Sequence, residues 1–235
     1  MAAGVERLLV PGYDLPSSRD AVALAVAHPG TIQAAVGIHP HYAAAASDAE
    51  WQELATLAAT PEVVAVGEIG LDFHRNLSTP SVQRAAFDRQ LALAATLGKP
   101  VLVHDRDAHA EIRAALLAHR STAEPHIIRG VLHAFSGDAA MAAELSAAGY
   151  LISFALPVAF RSAAGPRATA QALPSGSFLV ETDSPWLAPG GGEQRNEPTT
   201  ALRVAAELAK LRGVTQEVIA AEVRLTYNRL VGEQA

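Results

Sequence analysis

Residues 66–72 read Val66-Gly67-Glu68-Ile69-Gly70-Leu71-Asp72. A short branched apolar run at 63–66 comes first, and a carboxylate, Glu68, arrives just past its end. The same arrangement recurs down the chain. Val101-Leu102-Val103 delivers His104, Val131-Leu132 delivers His133, and Phe178-Leu179-Val180 runs into Glu181-Thr182-Asp183. Further apolar runs lie at 8–10, 34–38 and 151–154. All are near-continuous rather than alternating, which is the pattern of strands buried on both faces of a parallel sheet.

Helical stretches lie between most of these runs. Ser47-Asp48-Ala49-Glu50 is a capping box that opens a helix through residue 59, with Pro61 beyond it. Thr79-Pro80 reads as a cap with a first-turn proline, and that helix stops at Gly98-Lys99-Pro100. Asp107 is expected to cap 108–119, and the helix at 139–148 ends at Gly149. Residues 155–177 hold several breakers and one short helix, while helices at 200–212 and 215–231 close the chain. No composition shift marks a boundary, so residues 1–235 are expected to form a single domain. Right-handed strand–helix–strand crossovers then put the helices outside the sheet. A (β/α)8 barrel of the TIM type suits this length, with a doubly wound open sheet as the second architecture. Such a barrel needs eight strands, and the sequence offers seven.

Composition narrows the chemistry. The AVILMFWYC set makes up 50% of the 235 residues and charged residues 18%, which excludes a disordered chain. Cysteine is absent, removing disulfides, thiolate ligands and a cysteine nucleophile; a cytoplasmic setting is expected. A formal charge of −6 argues against coating nucleic acid by charge alone. It leaves room for an enzyme acting on nucleic acid, because bound divalent cations invert the field of an acidic site. No apolar run approaches the roughly 18 residues of a membrane span, and residues 1–7 lack the basic and apolar regions of a signal peptide. A Gly-rich phosphate loop and a Gly-x-Ser-x-Gly elbow are both missing.

In a barrel, the C-terminal ends of the strands converge on one mouth. Glu68, His104, His133 and Asp183 all sit at such ends. A lone buried histidine is more often a hydrogen-bonded structural group than a ligand. Four coincidences on different strands favour a divalent-metal site that activates a water and clamps an oxyanion. His39 and His41, in Gly-Ile-His-Pro-His, follow another strand and read either as phosphate or substrate contacts or as loop histidines. Asp72 is a candidate to orient a ligand, Arg106 and Arg195 read either as contacts to an anionic substrate or as solvated surface arginines, and Glu181 shares a strand face with Asp183. His28, His74, His109, His119 and His126 are read as surface or structural groups.

At these residues the sequence resembles the TatD family of metal-dependent deoxyribonucleases. The matching segments fall at 10–18 (VPGYDLPSS), 36–41 (VGIHPH), 66–72 (VGEIGLD), 103–109 (VHDRDAH), 132–137 (LHAFSG), 181–187 (ETDSPWL) and 195–198 (RNEP). Any one is weak, but seven in family order over nearly the whole chain are specific. The resemblance implies a metal-dependent hydrolase barrel with a two-metal site. Glu68 would be the carboxylate shared by both ions. His104 and His133 would complete one site, and Asp183 would belong to the other.

The sequence departs from the family at its start. Members open with a first strand ending in a His-x-His pair that serves the second ion, and no such pair precedes Val10. That absence accounts for the count of seven strands. It is read as a start codon set too far downstream, with a genuinely shortened, catalytically impaired binding protein as the other reading. The expectation is therefore a cytoplasmic deoxyribonuclease, a 3′-end exonuclease on single-stranded DNA. It would use two Mg, Mn or Zn ions, the second site incomplete, and catalysis would rest on Glu68 and Asp183. Hydrolysis of C–N or ester bonds is the alternative chemistry, since a fold does not set its substrate. Nucleic acid is the expected partner, with no membrane and no stable protein partner.

Overall fold

The structure is a computed structural model that describes residues 4–119, 128–190 and 195–232; His126 lies outside the described residues. The chain divides into two compact units, Arg7–Val131 and Leu132–Ala235, the latter taking in Met1–Glu6. No helix among the described residues is long and apolar enough to cross a membrane.

The Arg7–Val131 unit alternates β1 (Leu8–Pro11), α1 (Leu15–Ala27), β2 (Ile32–Val36), α2 (Asp48–Ala58), β3 (Val63–Asp72), α3 (Pro80–Leu97), β4 (Val101–Arg106) and α4 (His109–Ala118), and then enters β5 (Gly130–Leu132). Neighbouring strands pair in parallel, with Val10 opposite Ala34 and Val66 opposite Val101. Sheet residues Val36, Val66, Ile69 and Val103 are fully buried, as are Leu54, Ala94, Ile112 and Leu116 of the covering helices.

Three local features differ from the sequence expectation. First, α1 was not foreseen. Its capping box uses Ser17 rather than an acidic side chain: Asp14 Oδ1 accepts the Ser17 amide at 2.9 Å, and Ser17 Oγ accepts the Asp14 amide at 3.0 Å. Pro16 and the two serines resemble turn chemistry, which hides the helix. Second, Asp107 does not cap α4. Ala108 holds the cap position without a side-chain bond, while Asp107 adopts φ 55° and turns its carboxylate to His74. Third, β3 runs on to Asp72 instead of stopping at Val66. Its register with β4 shifts between Val66 and Ile69, so Gly67 and Glu68 form an irregularity of the kind that re-aims side chains beside active sites. Gly70, at φ 140°, sits where a Cβ would run into the His104 carbonyl oxygen, so only glycine lets the two strands close there.

The Leu132–Ala235 unit carries α5 (Ala139–Ala147), β6 (Tyr150–Phe154), α6 (Ala164–Ala172), β7 (Phe178–Val180), α7 (Ala201–Arg212) and α8 (Gln216–Leu230). β6 and β7 pair in parallel from Ile152–Phe178 to Phe154–Val180. Fully buried Leu132, Ile152, Leu145, Val204, Leu208 and Ile219 make its core. Asp138 caps α5 by accepting the Met141 amide at 2.8 Å. The single short helix expected within 155–177 is α6.

Strand order follows chain order from β1 to β7. A doubly wound sheet reverses its order at a switch point, and no reversal occurs here. The architecture is α/β of the TIM type, with seven strands where a complete barrel has eight.

Candidate metal centre

Within Arg7–Val131, strand ends bring five ligand-type side chains into one hydrogen-bonded cluster. His39 and His41 follow β2, Glu68 and Asp72 ride on β3, and His104 lies on β4. His104 Nδ1 is 2.9 Å from Glu68 Oε1 and donates to it, which leaves Nε2 as its ligand nitrogen, 3.5 Å from Asp72 Oδ2. His39 Nε2 lies 3.6 Å from the same Glu68 oxygen. His39, Glu68 and His104 each offer a donor atom, and these atoms all lie within 4.8 Å of one another. A carboxylate and imidazoles converging this closely, with the Asp72 carboxylate behind them, suit a divalent cation.

The histidines are not alike. Burial pushes the His39 imidazole down to about 3 despite the attraction of Glu68, so it is neutral at pH 7. Its Nδ1 accepts the His41 amide at 3.2 Å, which puts the ring proton on Nε2, facing Glu68. His39 can join a metal only by moving that proton to Nδ1 and giving up the amide bond. His41 instead donates from Nε2 to Asp72 Oδ2 at 2.7 Å. Burial alone would raise the Asp72 pKa. The neighbouring His104 ring, with bonds from the Arg75 amide and the His41 side chain, outweighs it and holds the carboxyl well below the usual range.

Two buried glutamines on α3 position this cluster, and the sequence reading passed over both. Gln90 accepts the Ile38 amide at 2.7 Å and donates to the Ile38 carbonyl at 3.0 Å, pinning the residue before His39. Gln83 does the same for Asp72, at 2.8 and 3.0 Å, and also donates to the Ser78 carbonyl. Ser78 Oγ in turn accepts the Ala44 amide and donates to the His41 carbonyl. A signal existed: Gln83 and Gln90 fall on the stripe of α3 that also buries Phe87 and Ala94.

Close by, Asp105 holds His109 at 2.8 Å; its Oδ1 is buried with no hydrogen-bond partner, and burial raises its pKa. Arg106 is exposed at the end of β4.

The Leu132–Ala235 unit has its own cluster. Glu181 accepts from His133 Nδ1 at 2.9 Å, from the Ala134 amide at 2.7 Å and from Ser153 Oγ at 3.0 Å. Because a carboxylate only accepts, Nδ1 carries the proton and Nε2 is left as the ligand nitrogen, 3.9 Å from Asp183 Oδ1. Glu181 is thus the orienting group for His133, a role its sequence spacing only hinted at. Asp183 itself adopts φ 58°. Buried Asn196 secures that loop by donating to the Thr182 carbonyl at 2.6 Å, while its neighbour Arg195 is exposed.

Comparison with known proteins adds the family. Residues 1–232 match the family model for TatD related DNase. A 3'-5' ssDNA/RNA exonuclease TatD from Klebsiella pneumoniae (strain 342) is 38% identical over 237 residues, covering 98% of this chain and 88% of the relative. An uncharacterized metal-dependent hydrolase, YabD of Bacillus subtilis (strain 168), is 34% identical over 220 residues, covering 93% and 84%. Among solved structures, the TatD homolog YJJV from Escherichia coli k12 superposes with a TM-score of 0.88 at 32% identity, covering 99% of this chain and 88% of that one. With its strand order and with ligand-type residues at its strand ends, the chain belongs to the TatD-related DNase family of metal-dependent hydrolases.

Proposed function

We propose that this chain, acting as one catalytic domain, hydrolyses phosphodiesters at the 3′ end of single-stranded DNA. The observation that carries the reading is the gathering of two imidazoles on Glu68 Oε1, His104 at 2.9 Å and His39 at 3.6 Å, on and between successive parallel strands. The exonuclease name of the Klebsiella relative supports the substrate class.

The proposed metal ligands are Glu68, His104, His133 and Asp183. Divalent ions held by them, two in the proposal, would supply an activated water and neutralise charge developing on the phosphate. The remaining steps fall to the protein. His39 is neutral at pH 7 and presents Nε2–H, a donor suited to a non-bridging phosphate oxygen. Asp72 fixes the His41 ring, so that His41 meets the substrate in one orientation. Asp183, whose Oδ1 lies 3.9 Å from His133 Nε2, is proposed as the second carboxylate on which catalysis rests, with Glu68. Exposed Arg106 and Arg195 are proposed to contact the strand's phosphates.

The test is a set of end-labelled single-stranded oligonucleotides, incubated with metal-stripped protein and with added Mg²⁺, Mn²⁺ or Zn²⁺. Stepwise loss of 3′ nucleotides that needs the ion is the expected result. Inertness toward every phosphodiester, alongside hydrolysis of amides or esters, would replace the reading.

A further inference from the structure

Two tyrosines stand exposed beside the metal cluster, and their rings are stacked. Tyr13 lies in the loop after β1 and is 47% exposed; Tyr42 lies after β2 and is 41% exposed. Their ring centroids are 5.5 Å apart with an interplanar angle of 29°. Aromatic residues make up only 5% of the sequence; six of the twelve Phe, Trp and Tyr side chains are buried, while Tyr13, Tyr42, Phe160 and Trp186 are exposed. Of those exposed four, Tyr13 and Tyr42 are stacked on each other.

Both tyrosines are tied to one residue of the cluster. The His39 amide donates to the Tyr13 carbonyl at 2.8 Å, and the Tyr42 amide donates to the His39 carbonyl at 2.9 Å. The Tyr13 amide is held in turn by Ser17 Oγ at 2.9 Å. The stack is thus anchored through the backbone to the histidine whose Nε2 faces Glu68.

We propose that the Tyr13–Tyr42 stack is a platform for a nucleobase of the single-stranded substrate, next to the phosphate being cleaved. This inference rests on the phosphodiesterase reading and deepens it by naming how the strand is gripped. An acidic chain with a net charge of −6 gains little from backbone attraction alone. Aromatic stacking supplies affinity that depends on neither charge nor sequence, because every base has a π-face. Measured base–aromatic stacks correspond to losses of roughly five- to a hundredfold in affinity per base.

The experiment is a double-mutant cycle between ring and base, read by fluorescence anisotropy on the full chain with Mg²⁺. The probes are nuclease-resistant phosphorothioate octamers of thymidylate, either intact or carrying abasic residues at the 3′ end. Wild type should bind the intact strand about tenfold more tightly than the abasic one. The Tyr13→Leu/Tyr42→Leu variant should bind both equally, and Tyr13→Phe/Tyr42→Phe should restore the preference. RNA octamers should behave like DNA if the base alone is read. Should the double leucine variant fold poorly in a thermal melt, each single variant carries the same comparison. An equal preference in wild type and leucine variants, or no binding of either strand, overturns the platform. Hydrolysis of bis(4-nitrophenyl) phosphate by wild type with Mn²⁺ checks the chemistry separately, since that ester has no nucleobase. Hydrolysis without ring–base coupling removes the platform alone, and coupling without hydrolysis removes the phosphodiesterase reading alone.

Discussion

The two ligand clusters hold their histidines by different means. In Arg7–Val131 the hold is distributed: Glu68 takes His104, Asp72 takes His41, and Gln83 and Gln90 clamp the backbone beneath them. In Leu132–Ala235 one carboxylate, Glu181, accepts from His133, Ala134 and Ser153 together. A distributed network should lose function by degrees as its members are removed one at a time. A hub should lose much of it in a single substitution, because several donors are left unpaired at once.

The largest effect is expected at Glu68, which two histidines of its cluster face. Glu68→Ala should slow metal-dependent hydrolysis by about a thousandfold, equivalent to several kcal/mol of transition-state stabilisation. It should also slow it more than Asp183→Ala does. Rates and bound-metal content measured for both variants would check this, and equal losses would mean the clusters contribute alike.

Next comes the hub. Glu181→Ala should weaken metal binding by about 10–100-fold, the range found when an orienting partner of a ligand histidine is removed. Titration of stripped protein with Mn²⁺, followed by its electron spin resonance, would measure it. Glu181→Gln should recover part of the affinity, since its amide oxygen can still accept from His133.

The glutamine clamps should matter less for the metal and more for stability. Gln83→Leu strands the buried Asp72 amide and carbonyl, and Gln90→Leu does the same to Ile38. Each should cost about 1–3 kcal/mol in urea unfolding. The Mn²⁺ affinity of each should fall by less than in Glu181→Ala; a fall as large would erase the contrast between network and hub.

The smallest effect lies away from both clusters. Burial, aided by Arg129, lowers the His119 pKa from its ordinary value near 6.5. As the pH falls through that value, the unfolded chain takes up the proton before the folded one does. Stability from this site is therefore present above about pH 6.5 and declines below it. Thermal melts at pH 7.5 and 5.5 should show wild type losing slightly more than His119→Gln. An identical loss in both would remove His119 from the pH response.

Residues 66–72 illustrate how far local pattern carries. An apolar run followed by a carboxylate marked β3 and Glu68, and the same logic marked His104, His133 and Asp183, because strand burial and strand ends leave their trace in adjacent residues. Helix stops were equally local: Gly98 ends α3 at φ 63°, a conformation glycine adopts without a Cβ penalty. Other features were illegible because their partners lie far away in the chain. Gln90 bonds Ile38 across 52 residues, and Glu181 bonds His133 across 48. No window of sequence contains both ends of such a bond. Asp107 shows the converse, a residue with good capping chemistry drawn off to His74 by a contact 33 residues away. The sequence by itself settled where the strands fall along the chain and the kinds of side chain near their ends, since periodicity and turn chemistry are properties of neighbours. Which nitrogen of each histidine carries the proton, and which buried amide holds each loop, was decided by folding. Hydrogen-bond partners and burial exist only once distant segments meet.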